Sequence, residues 1–499
     1  MDATRAESNL GAGNSDQSGA GRRSAGQGSL LMRGGRKHAV VLGAGMAGLF
    51  AARVLSEFYD GVTVVERDML LDHPSHRQGV PQDRHLHNFL GRGVQVLAEF
   101  FPGLLDEMAA AGAIIVNDGD LGRIYARMGQ WELKRSGMIA DPTGLTLCLA
   151  SRPFVEFYVR RRVAALPGVT FLDGHDVLEP IAADNAVTAV RIVDRRSEIT
   201  TALNADLVAD ATGRSALIPA FLERLGYGRP NEERSPTAIG YSSQRLAIPS
   251  GCIDQQLVVS NRGKREPGVL LLACEHHTWM LAVGRSIENG GAPADFATML
   301  TLSEDVLPRA IADALRNGQP IGEIAMFRNP AAVWRRYDQM RRFPRGLLVV
   351  GDALCSLNPI YGQGMTMAAL QASTLRDCLR SGDAALAHRF FTGAAQHINP
   401  VWTRNYANDR LPSPSRKRSI QQRLRRQLVK ATLIAASNDT TVAERLLRVG
   451  HLIDPPTRLN DPALIPNVVV ANVRHLLAGF QGPHRLLQRS PLARVAARP

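Results

Sequence analysis

The most regular pattern of apolar and polar positions lies near the start of the chain. The apolar run His38–Leu42 is followed at once by the turn sequence GAGMAG (43–48), and Leu49–Phe58 then has helical spacing. A second apolar run, Val62–Val65, ends on Glu66. A buried strand, a glycine turn, a helix and a second strand in this order predict a β-α-β unit of a parallel sheet.

The glycine turn has the spacing of a dinucleotide-binding turn, and its position between a strand and a helix makes the signal specific. Gly43 allows the tight turn, Gly45 lets a pyrophosphate approach the backbone, and Gly48 lets the helix pack on the strand. The helix N-terminus offers N–H groups and a partial positive charge to phosphates. Glu66 is placed to accept hydrogen bonds from ribose hydroxyls. This unit leaves FAD and NAD both open.

A second pattern, far along the chain, favours a flavin. The apolar run Leu347–Val350 leads to Asp352, and after a loop Gly362 and Gly364 open a helix near Met365. An Asp at a strand tip can hold a ribose or ribityl hydroxyl, and a helix N-terminus can stabilise negative charge on a reduced flavin ring. The alternative for Asp352 is a turn or helix-cap residue. An NAD-dependent dehydrogenase has no need for such a second element.

Patterns in the middle of the chain agree with a flavin fold. In Asp206–Leu217 an apolar strand runs into a glycine turn, and Ser151 can cap the helix that follows it. Arg152, at the start of that helix, could reach a phosphate or the flavin, or could be a solvated surface residue. Between Gly226 and Pro330 short apolar runs alternate with turns, which predicts an antiparallel sheet whose inner face would cover a substrate.

The segment HRQGVPQDRHLHNFL (76–90) is unusually polar and carries three histidines. As a metal site it is poor, because His85 and His87 are two residues apart and only Asp83 stands in ligand spacing. As a nucleic-acid patch it lacks interleaved aromatic residues. We expect it to connect the second strand to the next helix beside the cofactor, with Arg77 as the first candidate for contact.

Composition limits the class of protein. With 499 residues, 45% of them hydrophobic, the chain can bury the cores of two or three structural units. No stretch reaches the ~20 apolar residues of a transmembrane helix. The five cysteines are scattered without metal-like spacing, which favours a reducing cytoplasm. Residues 1–36 are rich in Gly, Ser, Ala and Arg and predict a disordered tail rather than a signal peptide.

Together these stretches resemble the flavoprotein monooxygenases of the aromatic-hydroxylase (p-hydroxybenzoate hydroxylase-like) fold. Within that group they most resemble the flavin-dependent epoxidases of bacterial polyether-antibiotic pathways. The resemblance runs from Lys37 to about Ala394 and rests on HAVVLGAGMAGLFAARVL with VTVVERD, HRQGVPQDRHLHNFL, SRPFVE, DLVADATGR and GLLVVGDALCSLNPIYGQGMTMAAL. The second and the last of these stretches are the most discriminating.

The resemblance implies an α/β (α+β) fold: a Rossmann-like FAD-binding domain with an inserted antiparallel-sheet substrate domain and C-terminal helices. It assigns residues 37–115, 149–225 and 335–395 to the FAD-binding domain, 116–148 and 226–334 to the substrate domain, and 396–499 to a basic helical segment. The residues that it implies for FAD contact are Gly43, Gly45, Met46, Ala47, Gly48, Glu66, Arg67, Arg77, Arg152, Asp352, Gly362, Gly364 and Met365.

The chain departs from the family at one motif. Aromatic hydroxylases carry DGxxSxxR where this chain has ATGRSALI, with Ile218 in the place of the final Arg. Because that motif is associated with binding of both FAD and NAD(P)H, the electron source is either NAD(P)H itself or a separate flavin reductase. The GWxWxxP signature of halogenases does not occur in the sequence.

The resemblance implies an FAD-dependent monooxygenase that inserts oxygen from O2 through a flavin C4a-hydroperoxide, with no dedicated catalytic acid or base and no metal. The expected reaction is epoxidation of alkenes in an apolar polyketide or terpenoid-like substrate of antibiotic biosynthesis, free or bound to a carrier protein. The alternatives are a flavin-dependent reductase of isoprenoid alkenes, similar to geranylgeranyl reductase, and an aromatic hydroxylase. The expected location is the cytoplasm.

The net charge of +13 is concentrated at the C-terminal end. Val401–Pro499 has 17 Arg and Lys against 5 Asp and Glu, a difference of +12, so the body is nearly neutral and no nucleic-acid partner is expected. Ser415–Ala436 predicts an amphipathic helix with Ile420, Leu424 and Leu428 on one face. It could bind a membrane surface or an acidic partner, or pack on the FAD-binding domain with a solvated basic face.

Overall fold

A computed structural model describes residues 38–214, 217–236, 239–263, 266–328, 331–409 and 420–480. The predicted disordered tail, residues 1–36, lies outside the described residues. Within the described ranges the strands are β1 (His38–Leu42), β2 (Gly61–Val65), β3 (Ile114–Val116), β4 (Ile124–Met128), β5 (Trp131–Glu132), β6 (Leu147–Leu149), β7 (Val169–Leu172), β8 (His175–Ala183), β9 (Ala186–Asp194), β10 (Thr200–Asn204), β11 (Leu207–Asp210), β12 (Glu232–Pro236), β13 (Ile239–Ala247), β14 (Leu257–Asn261), β15 (Gly268–Cys274), β16 (Thr278–Ser286), β17 (Gln319–Arg328), β18 (Ala331–Arg335), β19 (Leu347–Val349) and β20 (Cys355–Ser356).

The α-helices of the same ranges alternate with the strands in the first half of the chain and end it in a helical segment. They are α1 (Met46–Leu55), α2 (Gly91–Phe100), α3 (Leu104–Ala110), α4 (Arg152–Ala164), α5 (Leu217–Arg224), α6 (Phe296–Glu304), α7 (Arg309–Arg316), α8 (Gly364–Arg380), α9 (Leu386–Asp409), α10 (Ile420–Ala436), α11 (Thr440–Gly450) and α12 (Ile465–Phe480).

A parallel sheet lies in the order β19-β11-β1-β2-β7. Helices α1, α4 and α8 pack together beside it, so its strands are buried and nearly continuous in apolar residues. Leu42 pairs with Asp210, and Asp210 pairs with Val349. The carboxyl ends of β1, β11 and β19 therefore lie side by side, and the glycine turns that follow them share one edge, where ligands of open α/β sheets bind.

A second sheet of seven strands lies in the order β17-β13-β16-β15-β14-β4-β5. It is antiparallel except where β14 runs parallel to β4. One face packs against α6 and α7 through a cluster that includes Leu246, Leu281, Met299 and Leu315. The sequence pattern predicted only strands and turns in this region. Helices α6 and α7 were missed because each is only two turns long and buries a few apolar side chains.

Three small sheets complete the strand topology: β8-β9-β10, β12-β18-β20 and the pair β3-β6. The chain thus contains a parallel sheet and antiparallel sheets, and helices pack against sheets of both kinds. The predicted mixed α/β class with an antiparallel insertion is confirmed. β4 and β5 reach the seven-stranded sheet from a part of the chain distant from its other strands.

The C-terminal helices do not pack as the helical pattern alone predicted. The end of α10 packs on the seven-stranded sheet: Ala435 and Ala436 belong to one apolar cluster with Leu257 and Leu272, and the N–H of Lys134 donates to the carbonyl of Ala436 over 2.9 Å. Of the alternatives given for this helix, packing on the FAD-binding domain is not observed, because the residues that it buries contact the seven-stranded sheet instead.

Candidate active site

The glycines of the first turn have different roles in the structure. Gly43 has a positive φ of 100°, and a Cβ there would lie 2.8 Å from the carbonyl oxygen of Ala211. A Cβ on Gly48 would lie 1.8 Å from the carbonyl oxygen of Gly43. A Cβ on Gly45 would have only Nη2 of Arg152 nearby, at 3.8 Å. The first two glycines thus allow the turn itself to pack, whereas Gly45 leaves a space open above the backbone.

The start of α1 faces this space with its polar backbone. Gly45 caps the helix without a side-chain hydrogen bond, and the first turn has no acidic residue. The N–H groups of the first turn have no partner within the helix, so they and the helix dipole suit a phosphate. Met46 is buried beneath the turn. This arrangement fits the pyrophosphate of a dinucleotide.

Ala47 joins the first turn to the Gly-Asp turn after β19. Gly351 has a φ of 65°, and a Cβ on it would lie 2.4 Å from Cβ of Ala47. The N–H of Gly351 donates to Oε1 of Gln371 on α8 over 2.7 Å. The close approach of two small residues brings Asp352 to the same edge of the sheet as the first turn.

Four buried charged residues meet beside the first turn, and we call them the ionic cluster: Glu66, Arg77, Arg152 and Glu156. Nη1 of Arg77 lies 3.0 Å from Oε2 of Glu66, and Nη2 lies 2.7 Å from Oε1 of Glu156. Nη2 of Arg152 lies 3.2 Å from Oε2 of Glu156. All four side chains are 6–9% exposed. Burial lowers the pKa of Arg77, but Glu156 and Glu66 outweigh this effect and raise it.

The ionic cluster is tied to the backbone of the turn. Oε2 of Glu66 accepts a hydrogen bond from the N–H of Ala44 over 2.7 Å, and Oε1 accepts one from the N–H of Asp68 over 3.0 Å. Nη2 of Arg77 donates to the carbonyl of Ala44 over 3.3 Å. Oε1 of Glu66 retains a further lone pair, so Glu66 can still accept from a ribose hydroxyl.

Two donors of the ionic cluster have no acceptor in the described part of the protein. Nε of Arg152 and Nε of Arg77 are buried without a hydrogen-bond partner. Buried donors are normally hydrogen-bonded, and guanidinium groups favour phosphate oxygens. The unpartnered guanidinium donors and the open space at Gly45 therefore both fit the phosphate part of FAD.

Asp352 lies in the same region. No described residue donates a hydrogen bond to its carboxylate. Burial raises its pKa, while the positive charges of Arg214 and Arg152 act in the opposite direction. A carboxylate without a protein donor at a strand end can accept hydrogen bonds from sugar or ribityl hydroxyls.

The loop before α8 presents the second glycine-flanked helix start. Gly362 has a φ of 63°, and nothing lies within 4 Å of a Cβ placed on Gly364. The first turn of α8 has no acidic residue and no side-chain cap. Met365 is buried behind it. The positive end of this helix is therefore open to a ligand with a partial negative charge.

Side chains of helix α9 form hydrogen bonds with this loop. Nδ2 of Asn405 donates to Oε1 of Gln363 over 2.7 Å. Oδ1 of Asp409 accepts from the hydroxyl of Tyr361 over 2.7 Å and from Nδ2 of Asn358 over 3.3 Å. The shape of the loop thus depends on two polar side chains from the last turns of a helix that starts more than twenty residues further along the chain.

The histidines of segment 76–90 have separate partners. Nδ1 of His76 lies 2.9 Å from Oδ1 of Asp83, Nδ1 of His85 lies 3.1 Å from the hydroxyl of Ser243, and Nδ1 of His87 lies 3.0 Å from the carbonyl of His85. Among the described residues no three His, Cys, Asp or Glu side chains converge as a metal site. No side chain of the segment caps α2: the N–H of Gly91, its first residue, donates to Nδ1 of His451.

His85 links the segment to the seven-stranded sheet. Its ring centre lies 4.9 Å from that of Tyr241 on β13 and 5.4 Å from that of Phe327 on β17, and we call these three rings the aromatic contact. Burial lowers the pKa of His85 to about 4, although Asp83 opposes this. Burial and the positive charge of Arg152 lower the pKa of His87 to about 3. Both histidines are therefore neutral near pH 7.

Among the residues predicted to contact FAD, Arg67 is the one whose side chain points away from the glycine turns and the ionic cluster. Its Nε lies 3.6 Å from Oδ1 of Asp176 on β8, and its side chain is more than half exposed. The other predicted residues lie around the two glycine-flanked helix starts, in the ionic cluster or at the Gly-Asp turn. Their contacts with a bound cofactor remain predictions.

Sequence reasoning missed residues that the structure joins to the site. Glu156 was not singled out, although its spacing of four residues from Arg152 in SRPFVE is the spacing of a helical ion pair. Asn405 and Asp409 share the same spacing at the end of α9, but no motif marks them. Gln371 is recognisable only once α8 is placed beside β19.

The glycine turn with an acidic strand end, the guanidinium donors beside it and the second glycine-flanked helix start define a dinucleotide-binding flavoprotein. Comparison with known proteins agrees. The model of the family described as FAD binding domain matches residues 36–381, and the protein belongs to this family. FAD as the cofactor is thereby confirmed.

Relatives and solved structures extend the comparison. Protein Rv3254 of Mycobacterium tuberculosis (strain ATCC 25618 / H37Rv) is 37% identical over 458 residues, which cover 88% of this chain and 94% of its own. The structure of p-nitrophenol 4-monooxygenase PnpA from Pseudomonas putida DLL-E4 aligns with a TM-score of 0.59 at 16% identity, over 84% of this chain and 98% of that chain. The flavin-dependent brominase Bmp2 aligns with a TM-score of 0.57 at 14% identity, over 88% and 100%.

The alignments confirm the predicted fold of FAD-dependent monooxygenases, which flavin-dependent halogenases share. At these identities they bear on the fold alone. The predicted closeness to polyether epoxidases remains a prediction.

Proposed function

We propose that this protein is an FAD-dependent monooxygenase that epoxidises alkenes of an apolar polyketide or terpenoid-like substrate. Reduced FAD, when bound, activates O2 and supplies an electrophilic oxygen atom. The protein must then hold the cofactor, exclude water and place the alkene. It need not move a proton from the substrate.

One observation supports the proposal most strongly: segment 76–90 connects the ionic cluster to the aromatic contact. Arg77 lies in the ionic cluster beside the first glycine turn, and His85 packs edge-on against Tyr241 and Phe327 eight residues later. The register pairs Tyr241 with Phe327 across neighbouring strands. A short segment thus connects the ionic cluster, where we expect the cofactor, to Tyr241 and Phe327 of the seven-stranded sheet.

The charge state of this segment favours epoxidation over hydroxylation of a phenol. A phenol is activated by loss of its proton, which needs a base with a pKa near the working pH. His85 and His87, with pKa values of about 4 and about 3, are too weak as bases for this task. Burial raises the pKa of Tyr241, so its hydroxyl stays neutral as well. Neutral groups suit the transfer of oxygen to an alkene.

The alternative within the same fold is a reductase of isoprenoid alkenes. Both enzymes would consume reductant, but a reductase needs no O2. Purified protein carrying FAD is supplied with NADPH or with a flavin reductase, and reductant consumption is compared under air and under argon with a panel of terpenes and polyenes. The proposal expects product only under air. Reduced product under argon would establish the reductase instead.

A further inference from the structure

Helices α10 and α12 form an antiparallel pair at the edge of the seven-stranded sheet. Nδ2 of Asn472 donates to the carbonyl of Ala431 over 2.9 Å, and Nδ2 of Asn467 donates to Oδ2 of Asp439 over 2.8 Å. Asp439 lies three residues beyond the end of α10, so residue numbers rise along α12 as they fall towards and along α10, and the two helices run in opposite directions. The ring of His475 packs against that of Trp131 on β5 at 5.1 Å, which ties the pair to the sheet.

The pair presents apolar side chains to solvent. Ile420, Leu424 and Leu428 follow each other at helical spacing on α10 and are 84%, 61% and 55% exposed. On α12 the exposed apolar side chains repeat at similar spacing. They are Ile465, Val469, Val470, Val473, Leu476 and Leu477. Single exposed apolar residues are ordinary on protein surfaces, but two neighbouring helices with such stripes mark an interaction surface.

The charges on the same two helices are all positive. Arg423, Arg425, Arg426 and Lys430 are exposed on α10, and Arg474 is exposed on α12. Neither helix contains an Asp or a Glu. A second copy of the chain on this surface would bring two sets of uncompensated cations together, which disfavours a symmetric dimer. An anionic surface would complement them.

We propose that the α10–α12 pair docks on an anionic lipid bilayer, with its apolar side chains in the interface and its cations among the headgroups. No helix in the described part of the chain is long and apolar enough to cross a membrane. In this proposal the pair lies on the surface of the bilayer. This inference does not depend on the proposed function.

Full-length protein is tested by flotation with phosphatidylcholine vesicles that contain or lack about 30% phosphatidylglycerol. We expect wild type to float with the anionic vesicles and to bind the neutral ones at least about tenfold more weakly. The double variant Leu424→Ser/Leu428→Ser should bind anionic vesicles at least about tenfold more weakly than wild type. Leu178→Ser/Ile199→Ser, which removes exposed apolar side chains elsewhere, should bind like wild type.

A charge variant provides an independent arm that leaves the apolar face intact. Arg425→Gln/Arg426→Gln should weaken binding and its dependence on salt, whereas Arg196→Gln/Arg341→Gln, with the same change in net charge at exposed positions, should not. Retained FAD absorbance shows that each variant is folded.

Four results would overturn the proposal. The wild type could fail to float with the anionic vesicles. Each control variant could also weaken binding as much as the corresponding variant of α10. Alternatively, sedimentation could show a dimer of wild type that Leu424→Ser/Leu428→Ser converts to a monomer, which would assign the face to a second copy. Binding of an acidic protein instead of vesicles, lost in the same variants, would also contradict a lipid surface.

Discussion

Nη2 of Arg77 lies 2.7 Å from Oε1 of Glu156, and both side chains are buried beside the first glycine turn. Arg77 comes from the segment after β2 and Glu156 comes from α4. This ion pair therefore connects two distant parts of the chain beside the first glycine turn. Glu156 also pairs with Arg152 and thereby orients both guanidinium groups. We regard Glu156 as the residue that positions the guanidinium groups expected to bind the phosphates of FAD.

Replacing Glu156 by Gln should destabilise the protein strongly. The substitution keeps the shape but leaves two buried guanidinium groups with one carboxylate, and removal of one partner of a buried ion pair typically costs about 3–5 kcal/mol. The free energy of unfolding in urea measures this change. Glu57→Gln removes a more exposed partner of Arg53 at helical spacing and should cost less than about 1 kcal/mol. Equal effects of both variants would contradict a special role of Glu156.

Alanine at Gly45 should weaken FAD binding without unfolding the protein. A Cβ there would meet only Nη2 of Arg152 at 3.8 Å, but it would occupy the space open to the pyrophosphate. We expect FAD affinity to fall at least about tenfold in a fluorescence titration of the apoprotein. Gly48→Ala is the contrasting variant, because its Cβ would collide with the carbonyl of Gly43 and should destabilise the apoprotein itself. Unchanged FAD affinity of Gly45→Ala would place the pyrophosphate elsewhere.

The stability of the protein should fall as the pH is lowered from about 7 to about 4. Burial lowers the pKa of His451 to about 4, and its Nδ1 accepts from the N–H of Gly91 over 3.1 Å, so it must be neutral in the folded state. Below pH ~6.5 the unfolded chain binds a proton that the folded chain excludes, so stability is present above this pH and is lost below it, by up to about 1.4 kcal/mol per pH unit and histidine. His85 and His87 act in the same direction.

Urea unfolding of His451→Gln at pH 7 and at pH 5 isolates this contribution. The variant should lose less stability than wild type between the two pH values, whereas the exposed His73→Gln should retain the wild-type dependence. An unchanged pH dependence in His451→Gln would contradict a neutral, buried His451.

The substitution Asp409→Asn should change the conformation of the loop before α8 more than it lowers the stability of the protein. Asp409 accepts hydrogen bonds from Tyr361 and Asn358, and an amide can replace only part of this acceptance. We expect slower turnover and a shifted absorbance spectrum of bound FAD. Asp377→Asn, at an exposed position on α8, should leave both unchanged. A wild-type spectrum and turnover in Asp409→Asn would show that the loop does not depend on this contact.

Local sequence patterns predicted the parts of the site that depend on local backbone geometry. The glycine turns and the cap at Ser151 are dictated by neighbouring residues, and Oγ of Ser151 accepts from the N–H of Phe154 as the pattern indicated. Contacts between distant segments carry no such pattern. The partners of Glu156, Asp409 and Gln371 become visible only when helices are packed against the sheet.

The C-terminal segment shows a second limit. Helical spacing identified the apolar face of α10 with Ile420, Leu424 and Leu428, and a helix with such a face usually buries it. The structure buries the end of the helix instead, with Ile434 and Ala435 in the core. Periodicity shows that a face is apolar, but it does not show what covers the face.

Incorporation of labelled oxygen tests the central claim most directly. Protein loaded with FAD, an electron source and an alkene panel is incubated under ¹⁸O2 in ordinary water, and the products are analysed by mass spectrometry. We expect an epoxide that carries one ¹⁸O atom from O2 per oxygen inserted. Products without label, or reduced products that form equally well without O2, would contradict a monooxygenase.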